Sequence, residues 1–151
     1  MHKVLILGAG KIGSLISGLL AETGDYQVHV ADVNGAVANA VVDAHRLDNL
    51  FAHGFDARDA AALAAHLKAH PVDAVISSLP YYCNITVAEA ARAAGMHYFD
   101  LTEDVSVTRA VRRLAEGAEH AFVPQCGLAP GFVSIAANAL IGHFDDLRSV
   151  K

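Results

Sequence analysis

The chain alternates short apolar runs with longer segments whose apolar residues recur at helical spacing. After the first run, five apolar residues share one face of a helix that ends near Gly24: Ile12, Leu15, Ile16, Leu19 and Leu20. The apolar runs predict strands at residues 3–7, 27–31, 52–55, 73–79, 97–101 and 121–124. Later helices are predicted at about residues 35–45, 58–69, 84–94, 105–117 and 131–142.

Near-continuous apolar strands separated by helices indicate an α/β fold, with a parallel sheet covered by helices on both faces. Six strand–helix units predict a Rossmann-type, doubly wound sheet of strand order 3-2-1-4-5-6. We assign residues 1–144 to this domain. Because the chain then leaves its last helix for an extended segment, residues 145–151 are expected to begin a truncated C-terminal catalytic domain.

Composition narrows the functional class. Apolar residues make up 54% of the chain and charged residues 18%, which is typical of a folded protein. A net charge of -5 without a basic run argues against nucleic acid as a partner. The sequence shows neither a signal peptide nor an apolar stretch of the roughly 18 to 20 residues that a membrane span needs. Two cysteines, Cys83 and Cys126, favour reduced thiols and a cytoplasmic location.

Residues 8–13 form a G-x-G-x-x-G loop between the first strand and the first helix. In this context Gly8 permits a tight turn, Gly10 lets a pyrophosphate approach the backbone, and Gly13 lets the helix pack closely on the sheet. Free N–H groups at the helix start, together with the helix dipole, attract phosphate. The alternative is a plain strand–helix turn.

Asp32 ends the second predicted strand, 19 positions after Gly13. A dinucleotide fold is expected to place an acidic residue about 20 positions on, where it bonds the adenosine ribose hydroxyls. Such a carboxylate repels a 2′-phosphate, and Val33 and Asn34 supply no cation, so NAD is favoured over NADP. Asp32 could otherwise cap the second helix, a role that Asn34 fills equally well.

Two further stretches follow strands at the same predicted sheet edge. Asp56 suits a hydrogen bond to the adenine amino group, although capping the third helix is an equal alternative. Ser77, Ser78, Leu79 and Pro80 lie at the carboxyl end of the fourth strand, at the topological switch point, where they would flank the pyrophosphate and the nicotinamide ribose. The alternative for these four is an ordinary loop.

Asp100 and Thr102 lie at the carboxyl end of the fifth strand, and residues 124–132 follow the sixth. Both stretches are expected to face the same crevice, with residues 125–127 near the nicotinamide. Gly131, at a predicted helix start, would offer N–H groups to a substrate carboxylate. A structural proline–glycine turn is the alternative.

No metal site is predicted. His66 and His70 stand four residues apart on the third helix, but no Glu makes an H-E-x-x-H arrangement and no third ligand is evident. A solvated helix face is therefore expected. Cys126 has no neighbouring histidine in the sequence and is interpreted as a small apolar residue.

The glycine loop, SSLPYY at residues 77–82, HYFDLTED at 97–104 and CGLAPG at 126–131 occur in this order along the chain. With them the chain resembles the saccharopine dehydrogenase family, most closely its bacterial, L-lysine-dehydrogenase-like members. The resemblance implies the nucleotide-binding domain of a two-domain, homodimeric oxidoreductase whose second domain completes catalysis and dimerisation. It also implies that Asp100 points toward the substrate pocket and that eight residues touch the cofactor: Gly8, Gly10, Lys11, Ile12, Asp32, Asp56, Ser78 and Leu79.

The implied reaction is NAD(P)-dependent hydride transfer at a C–N bond of an amino-acid substrate, for which this chain alone would be inactive. Asp100 is the only candidate for handling the proton. Some relatives use NADP with a basic or hydroxyl residue after the second strand, and Asp32 departs from that pattern. The alternative function is a non-catalytic, NAD-sensing regulatory domain, which would not need a substrate loop at residues 126–132. Short-chain reductases are excluded, since neither Tyr81, Tyr82 nor Tyr98 has a Lys four residues on.

Overall fold

The computed structural model describes residues 1–146, 148 and 149, so the predicted second-domain segment 145–151 lies partly outside the described residues. Within the described part, six parallel strands form one sheet in the order β3-β2-β1-β4-β5-β6, as predicted. The strands are β1 (His2–Leu7), β2 (Tyr26–Asp32), β3 (Leu50–Gly54), β4 (Ala74–Ser77), β5 (His97–Asp100) and β6 (Phe122–Val123). The helices are α1 (Lys11–Glu22), α2 (Gly35–His45), α3 (Ala60–Ala69), α4 (Asn84–Ala94), α5 (Val105–Ala115) and α6 (Val133–Ile141).

Side chains of the central strand β1 pack into two separate hydrophobic cores, because successive side chains of a strand point to opposite faces. Val4 and Ile6 pack with α1 and α2 on one face of the sheet. Leu5 and Leu7 pack with α3, α4 and α5 on the other face. Burying a side chain of this size contributes about 1.5–3 kcal/mol, so this strand anchors the loop that follows it.

Short polar signals set the helix boundaries. The Asn34 side chain accepts a hydrogen bond from the Ala36 N–H and caps α2, which matches its predicted range. Gly95, at φ +64°, ends α4 as predicted. Asp59 caps α3 through the N–H groups of Ala61 and Ala62, so this helix begins later than predicted. The Asp56 alternative, a cap on α3, is therefore wrong.

The last helix also begins later than predicted. Residues Leu128–Phe132 form an irregular wide turn, and α6 follows with none of its residues buried. In the described part of the chain, the helices are too short or too polar to cross a bilayer.

Candidate functional site

The glycine loop forms a tight corner between β1 and α1. Gly8 has a φ of +93°, a conformation that glycine adopts without strain, and its N–H donates to the Ala31 carbonyl (2.8 Å). A Cβ on Gly13 would lie 1.7 Å from the Gly8 carbonyl oxygen. The first and third glycines of the motif are thus required by a turn and by contact between helix and loop.

The start of α1 presents unpaired backbone donors. Among the described residues, the N–H groups of Gly10, Lys11, Ile12 and Gly13 have no hydrogen-bond acceptor, and no side chain caps the helix. A Cβ on Gly10 would meet no atom within 4 Å, so the space beside these donors is open. Four free amides around open space at a helix N-terminus fit a pyrophosphate group.

Asp32 stands beside this corner at the end of β2. One carboxylate oxygen accepts from the Ala9 N–H and the other from the Asn34 N–H, both at 2.9 Å. Each carboxylate oxygen has a further lone pair available. Asp32 therefore holds the glycine loop in shape and retains acceptors for a ligand hydroxyl.

A cleft of about 300 Å³, here called the Asp32 cleft, opens between the ends of β1, β2 and β4. Asp56 lies in it and forms an ion pair with Arg58, whose Nη2 is 2.7 Å from Asp56 Oδ2. Hydrogen bonds from Arg58 lower the pKa of Asp56 to about 2. Arg58 is absent from the predicted site. The cleft is lined by Leu7, Gly8, Ala31, Asp32, Val33, Phe55, Asp56, Ala57, Arg58, Leu79, Pro80, Tyr82 and Cys83.

The segment after β4 separates into inner and outer residues. Ser78 donates its hydroxyl toward the carbonyls of Leu7 and Gly8, each at 2.9 Å, and so ties β4 to the glycine loop. Ser77 is buried, and its hydroxyl donates to Asn84 Oδ1 (2.7 Å) in the interior. Of the four residues predicted here, Ser77 lines neither cleft of this site.

A second cleft, here called the Thr102 cleft, opens on the other side of Leu79 and has a volume of about 510 Å³. It joins the start of α1 to the loop after β5. Its lining residues are Ile12, Ser78, Leu79, Tyr81, Leu101, Thr102, Glu103 and Asp104. Seven of the predicted cofactor residues line these clefts, at the edge where the parallel strands have their carboxyl ends: Gly8, Ile12, Asp32, Asp56, Ser78, Leu79 and Pro80.

Asp100 lies inside the protein. It has no exposed surface, and its carboxylate accepts from the Tyr98 hydroxyl (2.7 Å), the Thr102 N–H (2.9 Å) and the Gln125 N–H (3.1 Å). Burial and the neighbouring carboxylate raise the pKa of Tyr98. In this conformation Asp100 holds β5 to the segment after β6 instead of pointing into the Thr102 cleft.

Two glycines after β6 pack tightly against backbone. A Cβ on Gly131 would lie 2.6 Å from the Gln125 carbonyl oxygen, and one on Gly127 would lie 2.9 Å from the Leu101 carbonyl oxygen. Gly131 also precedes the first residue of α6, Val133. These contacts favour the structural turn over a binding site for a substrate carboxylate.

The expectation of a solvated helix face holds for the exposed His70 and is corrected for His66. His66 is half-buried and stacks on Phe55, with ring centroids 4.4 Å apart. His53, on the edge strand β3, contacts both of the other histidines at centroid distances of 4.6 and 4.8 Å. The sequence separates β3 from α3, so this third imidazole becomes apparent only after folding.

Solved dehydrogenase structures share this fold. Apo saccharopine dehydrogenase (L-Glu forming) from Saccharomyces cerevisiae matches at 25% identity and a TM-score of 0.81, over 95% of this chain and 31% of that one. A putative myo-inositol dehydrogenase from Sinorhizobium meliloti matches at 20% identity and a TM-score of 0.69, over 96% of this chain and 43% of that one. WlbA dehydrogenase from Chromobacterium violaceum, in complex with NADH and UDP-GlcNAcA, matches at 20% identity and a TM-score of 0.64, over 82% of this chain and 34% of that one.

The chain therefore spans from about a third to less than half of the length of each of these proteins. The two matches at 20% identity show the fold alone. The family described as the saccharopine dehydrogenase NADP-binding domain matches residues 4–123, which include the glycine loop, Asp32 and Asp100. The chain belongs to the saccharopine dehydrogenase NADP-binding domain family.

Proposed function

We propose that this chain binds NAD as the nucleotide-binding domain of a dehydrogenase that acts on a C–N bond of an amino acid. The observation that supports this most strongly is the start of α1, where the amides of Gly10 to Gly13 have no acceptor among the described residues and border open space. A pyrophosphate at this point would accept from these donors and meet the positive end of the helix dipole.

The two clefts suggest how the rest of a dinucleotide lies. We place the adenosine in the Asp32 cleft, where Asp32 can accept from ribose hydroxyls, and the nicotinamide half in the Thr102 cleft. Leu79 lines both clefts and would pack beneath the bend between the halves. The nicotinamide, when bound, exchanges a hydride with the amine-bearing carbon of the substrate.

Charge in the Asp32 cleft favours NAD over NADP, although the family description names NADP. Asp32 places a carboxylate beside the predicted ribose site. Arg58 is the cation that could offset a 2′-phosphate there, but Asp56 holds it in an ion pair. Two carboxylates against one guanidinium leave this cleft with a net negative charge.

Asp100 is assigned a positioning role. Its buried carboxylate is already bonded to one hydroxyl and two amides, so it cannot reach a substrate in this conformation. By fixing Thr102, it shapes the wall of the Thr102 cleft, and by accepting from the Gln125 N–H it holds the segment after β6 in place. We infer that the group taking the substrate proton lies outside the described residues of this chain, and that the whole protein acts as a homodimer.

Calorimetric titration with NADH tests this function. Gly10→Val fills the open space beside the free amides, yet its Cβ meets no protein atom, so the fold should be retained. We expect at least a tenfold loss of NADH affinity at an unchanged Tm. Gly142→Val, at a glycine outside both clefts, is the matched control and should bind normally. Undiminished binding by Gly10→Val would show that the loop does not hold the pyrophosphate.

A further inference from the structure

We propose that His53, His66 and His70 form a binding site for a divalent transition-metal ion of the zinc type. The site is built from β3 and α3, on the face of the sheet that carries the Leu5 core. None of its three residues lines the Asp32 cleft or the Thr102 cleft, so this inference stands apart from the proposed function.

The three imidazoles already converge. One ring nitrogen from each histidine lies within 4.8 Å of those from the other two. His66 and His70 are one helical turn apart on α3, and their ring centroids are 4.9 Å apart. Tetrahedral Zn²⁺, with Zn–N distances of about 2.0–2.1 Å, holds its nitrogens about 3.3 Å apart. Rotation of the exposed His70 side chain can bring its ring nitrogen closer to those of the other two histidines and so provide much of this shortening.

An unpartnered atom points to a ligand at this place. Nε2 of His66 is buried and has no hydrogen-bond partner among the described residues. Leaving such a group unpaired destabilises the fold, and a bound cation would satisfy it. His29 shares a 2.8 Å hydrogen bond with His53 Nε2. Outer hydrogen-bond partners of this kind orient ligating histidines in known metal sites.

The donor set selects the type of ion. The donors are three imidazole nitrogens, which suit Zn²⁺, Ni²⁺ and Cu²⁺, whereas Mg²⁺ and Ca²⁺ require oxygen ligands. His70 is the C-cap of α3, where the helix dipole favours a cation.

Zinc titration of the 151-residue chain, prepared without a histidine tag, tests the site. We expect one Zn²⁺ per chain, a rise in Tm on adding zinc, and the visible spectrum of tetrahedral Co²⁺ when cobalt replaces zinc. His70→Ala and His66→Leu should each weaken zinc binding at least tenfold and remove the rise in Tm. Because His70 is exposed, its variant is expected to fold even if His66→Leu does not.

The matched control is His120→Ala. His120 contacts His97 at a centroid distance of 5.2 Å and forms a histidine pair without the third imidazole. Its variant should bind zinc as the unmodified chain does. The proposal is overturned if the chain takes up no stoichiometric zinc, or if His70→Ala and His66→Leu bind it undiminished. Nucleotide titrations of the same variants keep this outcome separate from that of the proposed function.

Discussion

At the scale of single residues, Asp32 is expected to set nucleotide preference by charge. Asp32→Asn removes the negative charge beside the ribose site and exchanges one of the two acceptor oxygens for an N–H₂ donor. The exchange weakens the corner for both nucleotides alike, so the ratio of their affinities reports the charge. We expect the unmodified chain to bind NADH more tightly than NADPH. In the variant, the ratio of the NADPH to the NADH dissociation constant should fall about tenfold, which corresponds to about 1.4 kcal/mol.

Calorimetry with both nucleotides measures this ratio. Asp43→Asn, an equal charge change at an exposed position on α2, is the control and should leave the ratio as it was. If the unmodified chain binds NADPH as tightly as NADH, Asp32 has no selective role.

We predict that the hydrogen bonds of Asp100 stabilise the folded chain. Asp100→Asn replaces the charged acceptor of three hydrogen bonds with a neutral amide at a buried position, so we expect a loss of about 2 kcal/mol in the free energy of unfolding. Tyr98→Phe removes only one of the bonds and should cost about 1 kcal/mol. Urea unfolding measures both effects. Limited proteolysis near Gln125 should become faster in Asp100→Asn, and an unchanged digestion rate would contradict the positioning role.

Candidate site residues could be recognised where they belong to a local motif. Contacts that form only when the chain folds could not be recognised. The glycine loop and Asp32 are recognisable because strand, turn and helix follow one another directly. Arg58 pairs with Asp56 only because the turn before α3 brings the two together. The burial of Asp100 could not be foreseen, because its partner Gln125 lies 25 positions away.

At the scale of elements, the contact between α1 and the glycine loop decides whether the helix can sit on the sheet. Gly13→Ala would place a methyl group 1.7 Å from a backbone oxygen, which cannot move aside cheaply. We expect a loss of at least about 2 kcal/mol in unfolding free energy, together with weaker NADH binding. Gly10→Ala, whose Cβ meets nothing within 4 Å, should unfold normally. Equal stability of the two alanine variants in urea would contradict this packing.

Helix boundaries were predictable where the sequence contains a clear capping residue or a terminating glycine. Asn34 and Gly95 gave the start of α2 and the end of α4 correctly. The start of α3 was misplaced because Asp56 and Asp59 are both suitable caps, and only geometry distinguishes them. The start of α6 was misplaced because Gly131 serves a backbone contact with Gln125, which the sequence does not reveal.

At the scale of the whole molecule, we expect stability to fall with acidity. Burial, the largest cause, lowers the pKa of both His29 and His66 from 6.5 to about 4. Each of these two histidines therefore takes up a proton near pH 6.5 in the unfolded chain but only near pH 4 in the folded chain. These two groups contribute stability above pH 6.5, and this contribution is lost as the pH falls from 6.5 to 4.

Urea unfolding in metal-free buffer between pH 7 and pH 4 measures this loss. Because the two rings interact with each other, their separate effects do not simply add, and we expect a combined effect of about 2 kcal/mol. His66→Leu should flatten the dependence, whereas His143→Ala, at an exposed position, should not. A stability that stays constant across this range would show that the histidines are not shielded from water.

The strand order was predictable because six strand–helix units that begin with a glycine loop match the doubly wound order of dinucleotide-binding folds, in which right-handed crossovers run outward from the central strand in both directions. The histidine cluster was not predictable, because β3 and α3 meet only once the sheet exists. Of its three members, only His66 and His70 share a recognisable spacing in the sequence, and His53 looks ordinary there.

The two hydrogen bonds that Asp32 makes with Ala9 and Asn34 constrain how cofactor preference can evolve. Replacing Asp32 outright would release the corner that shapes the phosphate loop, so a direct exchange of specificity carries a conformational penalty. Laboratory selection for the phosphorylated nucleotide should therefore first accept changes at Val33, which is exposed in the same cleft, or at Asp56, whose loss frees Arg58. Asp32 would be exchanged later, once other contacts support the loop.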